Sequence, residues 1–263
     1  MDLNLSGKVV LVSGASKGIG KSIATEFAKE DAVVYLVSRT EANLKEAVTE
    51  ITEATNNQHV NYLVANMKNS SEIKQAVSNL KQKHEKIDVL INNAGGPPPG
   101  GFLDVDEEDW YHAFEQNLLS VVRMTKEVIP LMLKEGSGRI INITSSSIKA
   151  SIDNLILSNV MRPGVHGLTK SLAREFAKDN ILVNSIGPGK IKTDRTIQLG
   201  KSVAEKSGKS MDDVMEEMAK DIPLGRLGKP EEFAKIAVFL ASEANTYVTG
   251  QALLVDGASV SAL

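Results

Sequence analysis

Short runs of apolar, mostly β-branched residues alternate along the chain with longer stretches in which apolar residues recur at helical spacing. The runs predict strands at residues 9–13, 33–37, 60–64, 89–92, 139–143, 181–186 and 252–255. The stretches between them predict helices at 19–29, 42–54, 71–83, 107–133, around 159–178, and at 230–242. Strands this uniformly apolar are typical of a parallel sheet covered on both faces. The pattern predicts a single-domain α/β Rossmann fold over residues 1–263, with a doubly wound parallel sheet of about seven strands and helices on both faces.

Two segments interrupt the alternation, and each follows a predicted strand. Residues 95–101 read Gly-Gly-Pro-Pro-Pro-Gly-Gly, which fits neither a helix nor a central strand because proline lacks an amide donor. Residues 190–223 form a long excursion before the last helix. Long connections in compact domains are usually functional, and ligands of open α/β sheets bind at the carboxyl ends of the strands. We expect both segments to border the site and 190–223 to act as a substrate lid.

The composition narrows the classes of ligand and location. The chain has 263 residues, a net charge of −3 and no cysteine. Its basic residues are scattered, so nucleic acid is not expected as a partner. Without cysteine, and with four histidines that lack ligand spacing, no metal site is predicted. The N-terminus lacks a signal pattern, and the apolar runs are shorter than the ~18 residues of a membrane span. We therefore predict a cytoplasmic protein without a membrane partner.

A glycine-rich turn follows the first predicted strand and opens the first predicted helix. Gly14, Gly18 and Gly20 are spaced Gly-x3-Gly-x-Gly within the run from Ser13 onward. Glycine permits the tight turn and the close approach of backbone to pyrophosphate, while the helix start offers free amides and a positive dipole end. The turn predicts a dinucleotide-binding site.

The residues at the end of the second predicted strand indicate which dinucleotide binds. An acidic residue there would bind the ribose 2′-hydroxyl of NAD, but the first acid is Glu41, at the start of the next helix. Arg39 is available instead, and an arginine fork matches a 2′-phosphate. Lys17 of the glycine turn adds a second positive charge. We therefore favour NADP(H) over NAD(H).

Several further motifs occur in one order along the whole chain. Asn-Asn-Ala-Gly stands at 92–95, Pro-Gly-Lys-Ile-Lys-Thr at 188–193, Ile-Pro-Leu-Gly-Arg-Leu-Gly-Lys-Pro-Glu-Glu at 222–232, and Thr-Gly-Gln through Val-Asp-Gly at 249–257. With the glycine turn, in which Ser13 replaces a threonine, they resemble the short-chain dehydrogenase/reductase family. The nearest likeness is to 3-oxoacyl-[acyl-carrier-protein] reductases and glucose dehydrogenase-like members.

The resemblance implies roles for residues along the carboxyl edge of the sheet. It implies that 93–95 line the cofactor, that 66–67 flank the adenine, and that the 188–193 motif meets the nicotinamide. With the charge argument above, the candidate cofactor-binding residues are Gly14, Ser16, Lys17, Gly18, Ile19, Gly20, Ser38, Arg39, Thr40, Asn66, Met67, Asn93, Ala94, Gly95, Pro188, Gly189, Ile191 and Thr193. Members of this family are commonly homotetramers, so a homo-oligomer, tetramer or dimer, is expected.

The catalytic positions depart from the family pattern. The family uses an asparagine, a serine, a tyrosine that relays the proton, and a lysine four residues later that lowers the tyrosine pKa. The resemblance aligns Asn117 and Ser145 with the first two, but places Ser158 at the tyrosine and Arg162 at the lysine. An aliphatic hydroxyl is a far weaker acid than a phenol, and loss of a positioned general acid costs ~10²–10⁴ in rate. Arg162 can still stabilise negative charge on a carbonyl oxygen.

Other groups could supply the proton. The candidates are a water held by Ser145 and Ser158, Lys149 in the following loop, and His166, one helical turn beyond Arg162. Pro163 removes a helical hydrogen bond. Either the helix starts near Pro163, or the Arg162 head is aimed differently from the family's lysine.

Three functions remain open from the sequence. The first is an NADP(H)-dependent oxidoreductase of the short-chain type that reduces a small-molecule carbonyl, 3-oxoacyl- or ketone-like, or oxidises the alcohol, with an atypical active site. The second is a non-catalytic NADP(H)-binding sensor or interaction protein derived from a reductase. The third is nonredox chemistry in the same pocket, with the dinucleotide as a structural ligand.

Overall fold

The computed structural model describes residues 2–262, and within them every side chain except those of Ser202 and Lys206. Seven strands form one sheet in which every neighbouring pair is parallel. They are β1 (Val9–Ser13), β2 (Val33–Ser38), β3 (Val60–Val64), β4 (Val89–Asn92), β5 (Gly138–Ile143), β6 (Ile181–Pro188) and β7 (Ala252–Val255). The predicted strands and the predicted fold class are confirmed.

Helices cover both faces of this sheet. They are α1 (Gly18–Lys29), α2 (Glu41–Thr55), α3 (Ser70–His84), α4 (Glu107–Phe114), α5 (Ser120–Glu135), α6 (Ile156–Phe176), α7 (Asp194–Ser207), α8 (Met211–Ala219) and α9 (Pro230–Leu240). The excursion at 190–223 therefore contains two helices, α7 and α8. Among the described residues, no helix combines the length and the apolar character needed to cross a membrane.

Alternate residues of the strands β1 to β6 enter two separate apolar cores. Val10 and Val12 of β1 pack in one core with Phe27 of α1 and Phe233 of α9. Val9 and Leu11, which point to the other face, pack in the second core with α3 and α5. Because side chains alternate across a strand, a sheet buried on both faces needs apolar residues at every position. This is why the strands read as continuous apolar runs.

The predicted helix at 107–133 is divided in the structure. A π-helical turn at Glu115–Leu119 separates α4 from α5. Asn117 lies in this turn, completely buried, and the Ser120 hydroxyl donates to the Gln116 carbonyl at 2.6 Å. Such turns widen the helix by one residue and are frequent at functional sites.

The helix predicted around 159–178 begins earlier, at Ile156, so Pro163 lies inside α6. The alternative that the helix starts near Pro163 is therefore wrong. The proline is exposed, so the carbonyl that loses its amide partner can be hydrated rather than left unsatisfied in the core.

The strand order places the glycine turn at the centre of one edge. The order is β3-β2-β1-β4-β5-β6-β7. The strands β2 and β3 extend the sheet to one side of β1 and the strands β4 to β7 extend it to the other, so the order reverses between β1 and β4. In open α/β sheets, ligands bind at such a switch point, outside the carboxyl ends of the strands. The segments after β1 to β6 all meet at this edge.

Candidate dinucleotide and active site

The glycine turn is locked against the end of β4. Gly14 has φ +59°, and a Cβ there would lie 2.6 Å from the Asn93 carbonyl oxygen. The Asn93 side-chain amide donates to the Gly14 carbonyl at 2.9 Å, and the Ser13 hydroxyl donates to the Asn93 carbonyl at 2.9 Å. Asn93 therefore acts, in this structure, as the brace that fixes the turn.

The mouth of the same turn is open and rich in free donors. Gly18 has φ +57°, and the nearest atoms to a Cβ built there belong to Thr193, 3.7 Å away. Lys17, the N-cap of α1, makes no side-chain capping bond. The first-turn amides of α1 are therefore not capped by it and can meet phosphate oxygens. An open turn at a helix N-terminus fits the pyrophosphate of a dinucleotide.

Positive charge is left unengaged beside this turn. Arg39 and Lys17 are both exposed, and among the described residues neither forms an ion pair. The nearest acid along the chain, Glu41, is engaged by Lys45 at 3.1 Å and by the Tyr62 hydroxyl at 2.9 Å. The region where the cofactor ribose is predicted therefore contains the cations Arg39 and Lys17. The carboxylate of Glu41 is engaged by Lys45 and Tyr62 and is not free to bind the ribose.

The remaining predicted cofactor residues lie along the same edge. The Asn66 side chain shapes its own turn by accepting from the Lys68 amide at 3.1 Å, and Met67 packs on the second core. The Ser16 hydroxyl donates to the Ser38 hydroxyl at 3.2 Å, which joins the ends of β1 and β2. Thr40 is the N-cap residue of α2.

The 188–193 motif approaches the glycine turn from the end of β6. Pro188 ends the strand, and a Cβ on Gly189 would lie 2.6 Å from the Asp256 Cα. Ile191 is buried in the first core, so only its backbone faces the edge. Thr193 is the N-cap of α7 and lies opposite Gly18. The contacts of these residues with a cofactor stay predictions.

Four consecutive carbonyl oxygens after β4, those of residues 94–97, accept hydrogen bonds from side chains. We call these residues the carbonyl segment. The donors are Arg162 to Ala94 (3.2 Å), Asn117 and Gln116 to Gly95 (2.6 and 3.3 Å), and Arg195 to Gly96 and Pro97 (3.4 Å each). Asn117 is thus placed at the site, while its buried Oδ1 has no partner among the described residues.

Arg162 lies beneath the carbonyl segment and is only 4% exposed. Besides its bond to Ala94, it donates to the Ile143 carbonyl, at the end of β5, at 3.1 Å. Burial, with a smaller effect of the Arg195 charge, lowers the pKa of the Arg162 guanidinium to about 10. It is therefore a desolvated cation at neutral pH, aimed at the ends of β4 and β5.

Three serines lie just after the Ile143 carbonyl that Arg162 binds, or one turn before Arg162 in α6. The Ser145 hydroxyl oxygen accepts from the Ser147 amide at 3.1 Å, so its hydrogen is free to donate elsewhere. The Ser158 hydroxyl pairs with the Ser147 hydroxyl at 3.3 Å rather than with Ser145. Ser147 was not among the predicted residues. The only indication of Ser147 in the sequence is the Ser-Ser-Ser run at 145–147, and this run does not show which of its serines contacts Ser158.

The other candidate proton donors are engaged elsewhere or exposed. His166 pairs with the Ser185 hydroxyl at 3.2 Å, and burial, then the Lys149 and Lys170 charges, lowers its pKa. Lys149 is exposed. The tyrosines lie apart: Tyr35 pairs with His84 at 2.8 Å, and Tyr62 with Glu41, while Tyr111 and Tyr247 are exposed. None of the four hydrogen-bonds to a 145–158 serine within the part of the chain that the structure describes.

A doubly wound parallel sheet with an open glycine turn at its switch point defines a dinucleotide-binding α/β protein of the Rossmann type. Comparison with known families narrows the class. The family model described as enoyl-(acyl carrier protein) reductase matches residues 14–258. The chain belongs to the short-chain dehydrogenase/reductase family and is similar to its 3-oxoacyl-[acyl-carrier-protein] reductases.

Individual relatives extend over the whole chain. The 3-oxoacyl-[acyl-carrier-protein] reductase of Thermotoga maritima is 37% identical over 98% of this chain and 100% of its own. The L-sorbose reductase of Gluconobacter frateurii, solved with NADPH and L-sorbose, matches with a TM-score of 0.96 and 32% identity, covering 100% of both chains. The reductase YwfH, described as NADPH-dependent and involved in bacilysin biosynthesis, matches with a TM-score of 0.92 and 31% identity over 98% of this chain and 100% of its own. These neighbours agree with the cofactor predicted from Arg39 and Lys17.

Proposed function

We propose that the protein is an NADP(H)-dependent oxidoreductase that reduces a ketone- or 3-oxoacyl-like carbonyl with an atypical active site. The observation that carries this is the pairing of a free donor with a buried cation at the cofactor edge. The Ser145 hydroxyl can donate to a carbonyl oxygen, and Arg162 lies buried at the end of the same strand. Donors and charges held in place before reaction stabilise a developing oxyanion. The bound cofactor would supply the hydride.

The proton has to come from a weaker acid than in relatives that carry the tyrosine. The Ser147 and Ser158 hydroxyls form a pair next to Ser145, and both are buried. Hydroxyls can pass a proton by donating one and accepting another, so we infer that this pair takes part in relaying the proton to the carbonyl oxygen. Because no phenol takes part, we expect turnover that is ~10²–10⁴ slower than with a positioned general acid.

The second candidate is a non-catalytic NADP(H)-binding sensor or interaction protein. The observation in its favour is that no tyrosine replaces the missing acid among the described residues near Ser145 and Ser158. It predicts tight NADPH binding with no oxidation of NADPH by any substrate. The assay below separates it from the reductase.

The Ser145→Ala variant tests the proposed reaction. We expect wild-type protein to oxidise NADPH with at least one member of a panel of ketones and 3-oxoacyl thioesters. The variant should lower kcat by about 10²-fold, as loss of one oxyanion donor does. The matched control is Ser146→Ala, in the same turn, which should keep wild-type kcat. Absence of turnover across the panel, with NADPH bound, would favour the sensor.

The Arg39→Gln variant tests the choice of cofactor. A bidentate arginine–phosphate contact is charge-assisted, so its loss should raise the Kd of NADPH about tenfold or more. The Kd of NADH, which lacks the 2′-phosphate, should change by less than about twofold. Titration by protein fluorescence measures both. Equal affinity of the wild type for NADPH and NADH would contradict the role of Arg39.

We also propose a homotetramer, supported by two separate exposed apolar surfaces. Tyr111 and Phe114 of α4 lie three residues apart and so share one face, and Val160 of α6, a helix that contacts α4, is exposed as well. Tyr247, 97% exposed, and Leu253 of the edge strand β7 are the exposed apolar residues that we assign to the other surface. A tetramer of two-fold symmetry needs two such self-complementary surfaces. A solution mass near one or two chains of 28.3 kDa would contradict it. The cytoplasmic location stays a prediction.

A further inference from the structure

Two arginines reach the carbonyl segment from different helices. Arg162 comes from α6 and binds the first carbonyl, and Arg195 comes from the first turn of α7 and binds the last two. A Cβ on Gly96 would lie 2.9 Å from Nη1 of Arg195, so the guanidinium rests directly on the glycine backbone. The sequence separation of 99 residues hides this contact from motif analysis.

Neither arginine has a counter-ion. Within the described part of the chain, no carboxylate lies within 4.0 Å of either guanidinium. The two cations also repel each other, since the Arg195 charge contributes to the lowered pKa of Arg162. Arg195 is exposed and keeps water around its charge, whereas Arg162 is buried. A buried charge without a partner is costly, so Arg162, which the fold retains, is a candidate for function.

The carbonyl contacts leave donors unused. A guanidinium has five N–H groups, and the structure gives two bonds to each arginine. Carbonyl oxygens carry no net charge, so they orient the arginines without neutralising them. What would satisfy both the remaining donors and the charge is an oxyanion.

We propose that Arg162 and Arg195 bind the carboxylate of the substrate, which makes the substrate a small 2-oxo or 3-oxo acid. This rests on the carbonyl reduction proposed above. The cofactor diphosphate is the other source of an oxyanion, because α7 begins opposite Gly18. The contacts favour the substrate. Arg195 contacts the carbonyls of Gly96 and Pro97, which lie outside the predicted cofactor-binding residues, and not the glycine turn.

Two pairs of probes test the site without hydride transfer. The protein is saturated with NADP⁺, which cannot reduce a ketone, and titrated by calorimetry with acetoacetate or 2-oxobutanoate and with the methyl ester of each. We expect at least one acid to bind about tenfold tighter than its ester, as a charge-assisted bond allows. Arg195→Gln should abolish that preference and Arg195→Lys should keep part of it. Arg174→Gln, an exposed arginine farther along α6, should leave it unchanged.

Two kinds of result overturn the carboxylate site. If Arg195→Gln keeps the preference for acid but raises the Kd of NADPH tenfold, the arginine serves the cofactor diphosphate. If the wild type binds the esters as tightly as the acids, or binds neither acid, there is no carboxylate site. The proposed reaction fails separately: acid preference without NADPH oxidation refutes the reductase and retains the site. If neutral ketones support NADPH oxidation and the acids are not preferred over their esters, the reductase is retained and the carboxylate site is refuted.

Discussion

Replacing Arg162 by methionine is expected to lower kcat by about 10²–10³, the cost of removing one preorganised charge at a developing oxyanion. Methionine has a similar length and keeps the apolar contacts of the side chain, but it removes the charge and the bonds to Ile143 and Ala94. Leaving those two carbonyls without a donor costs about 1–3 kcal/mol, and removal of an unpaired buried charge offsets part of it. The melting temperature should therefore shift by only about 2–4 °C per kcal/mol lost.

The matched control is Arg139→Met, at the opposite edge of the sheet. Arg139 is also partly buried and also donates to carbonyls, those of Gly138 (2.9 Å), Asn180 (3.1 Å) and Asn245 (3.4 Å). Its replacement should cost stability and leave kcat unchanged. Arg162→Lys should retain more activity than the methionine variant, because a cation remains. Equal losses of kcat in the Arg162→Met and Arg139→Met variants would show that Arg162 acts only through stability.

The fold could be predicted because local sequence determines it at each strand. Residues 9–12 and 89–91 are apolar at every position, and a strand buried on both faces requires that. The division of the 107–133 helix could not be predicted in this way. The π turn at Glu115–Leu119 is accompanied by a tertiary contact, the Asn117 bond to Gly95, and helical periodicity on either side conceals it.

The parts of the site that depend on local sequence could be predicted, and the parts that depend on tertiary contacts could not. The glycine turn is a local motif, and its strand and helix neighbours are adjacent in sequence. Arg195 and Ser147 become part of the site only when the chain brings 96–97 to α7 and 147 to α6. No spacing rule joins positions that are 99 residues apart. Position 162 could be assigned from the register of the helix, but its carbonyl partners and lack of a counter-ion required the structure.

Replacing Gly14 by alanine is expected to raise the Kd of NADPH by about 100-fold, which corresponds to losing two charge-assisted bonds to phosphate. The residue has φ +59°, which costs alanine about 1–2 kcal/mol. Its Cβ would also lie 2.6 Å from the Asn93 carbonyl oxygen and 2.9 Å from the Asn93 side-chain nitrogen. Since Asn93 braces the turn through the Gly14 carbonyl, relief of this clash has to move the turn away from the phosphate-binding position.

Gly136→Ala separates backbone strain from the displaced turn. Gly136 has φ +68° at the carboxyl end of α5, and nothing lies within 4 Å of a Cβ built there. Both variants therefore carry the left-handed strain, and only Gly14→Ala carries the clash. The part of the loss in unfolding free energy that comes from backbone strain should be similar in the two variants, and Gly14→Ala should lose more because of the clash. In Gly136→Ala, the Kd of NADPH should change by less than about twofold. A Gly14→Ala protein that binds NADPH like the wild type would show that the cofactor phosphates do not depend on this turn, and would remove the basis for placing the hydride donor beside Ser145.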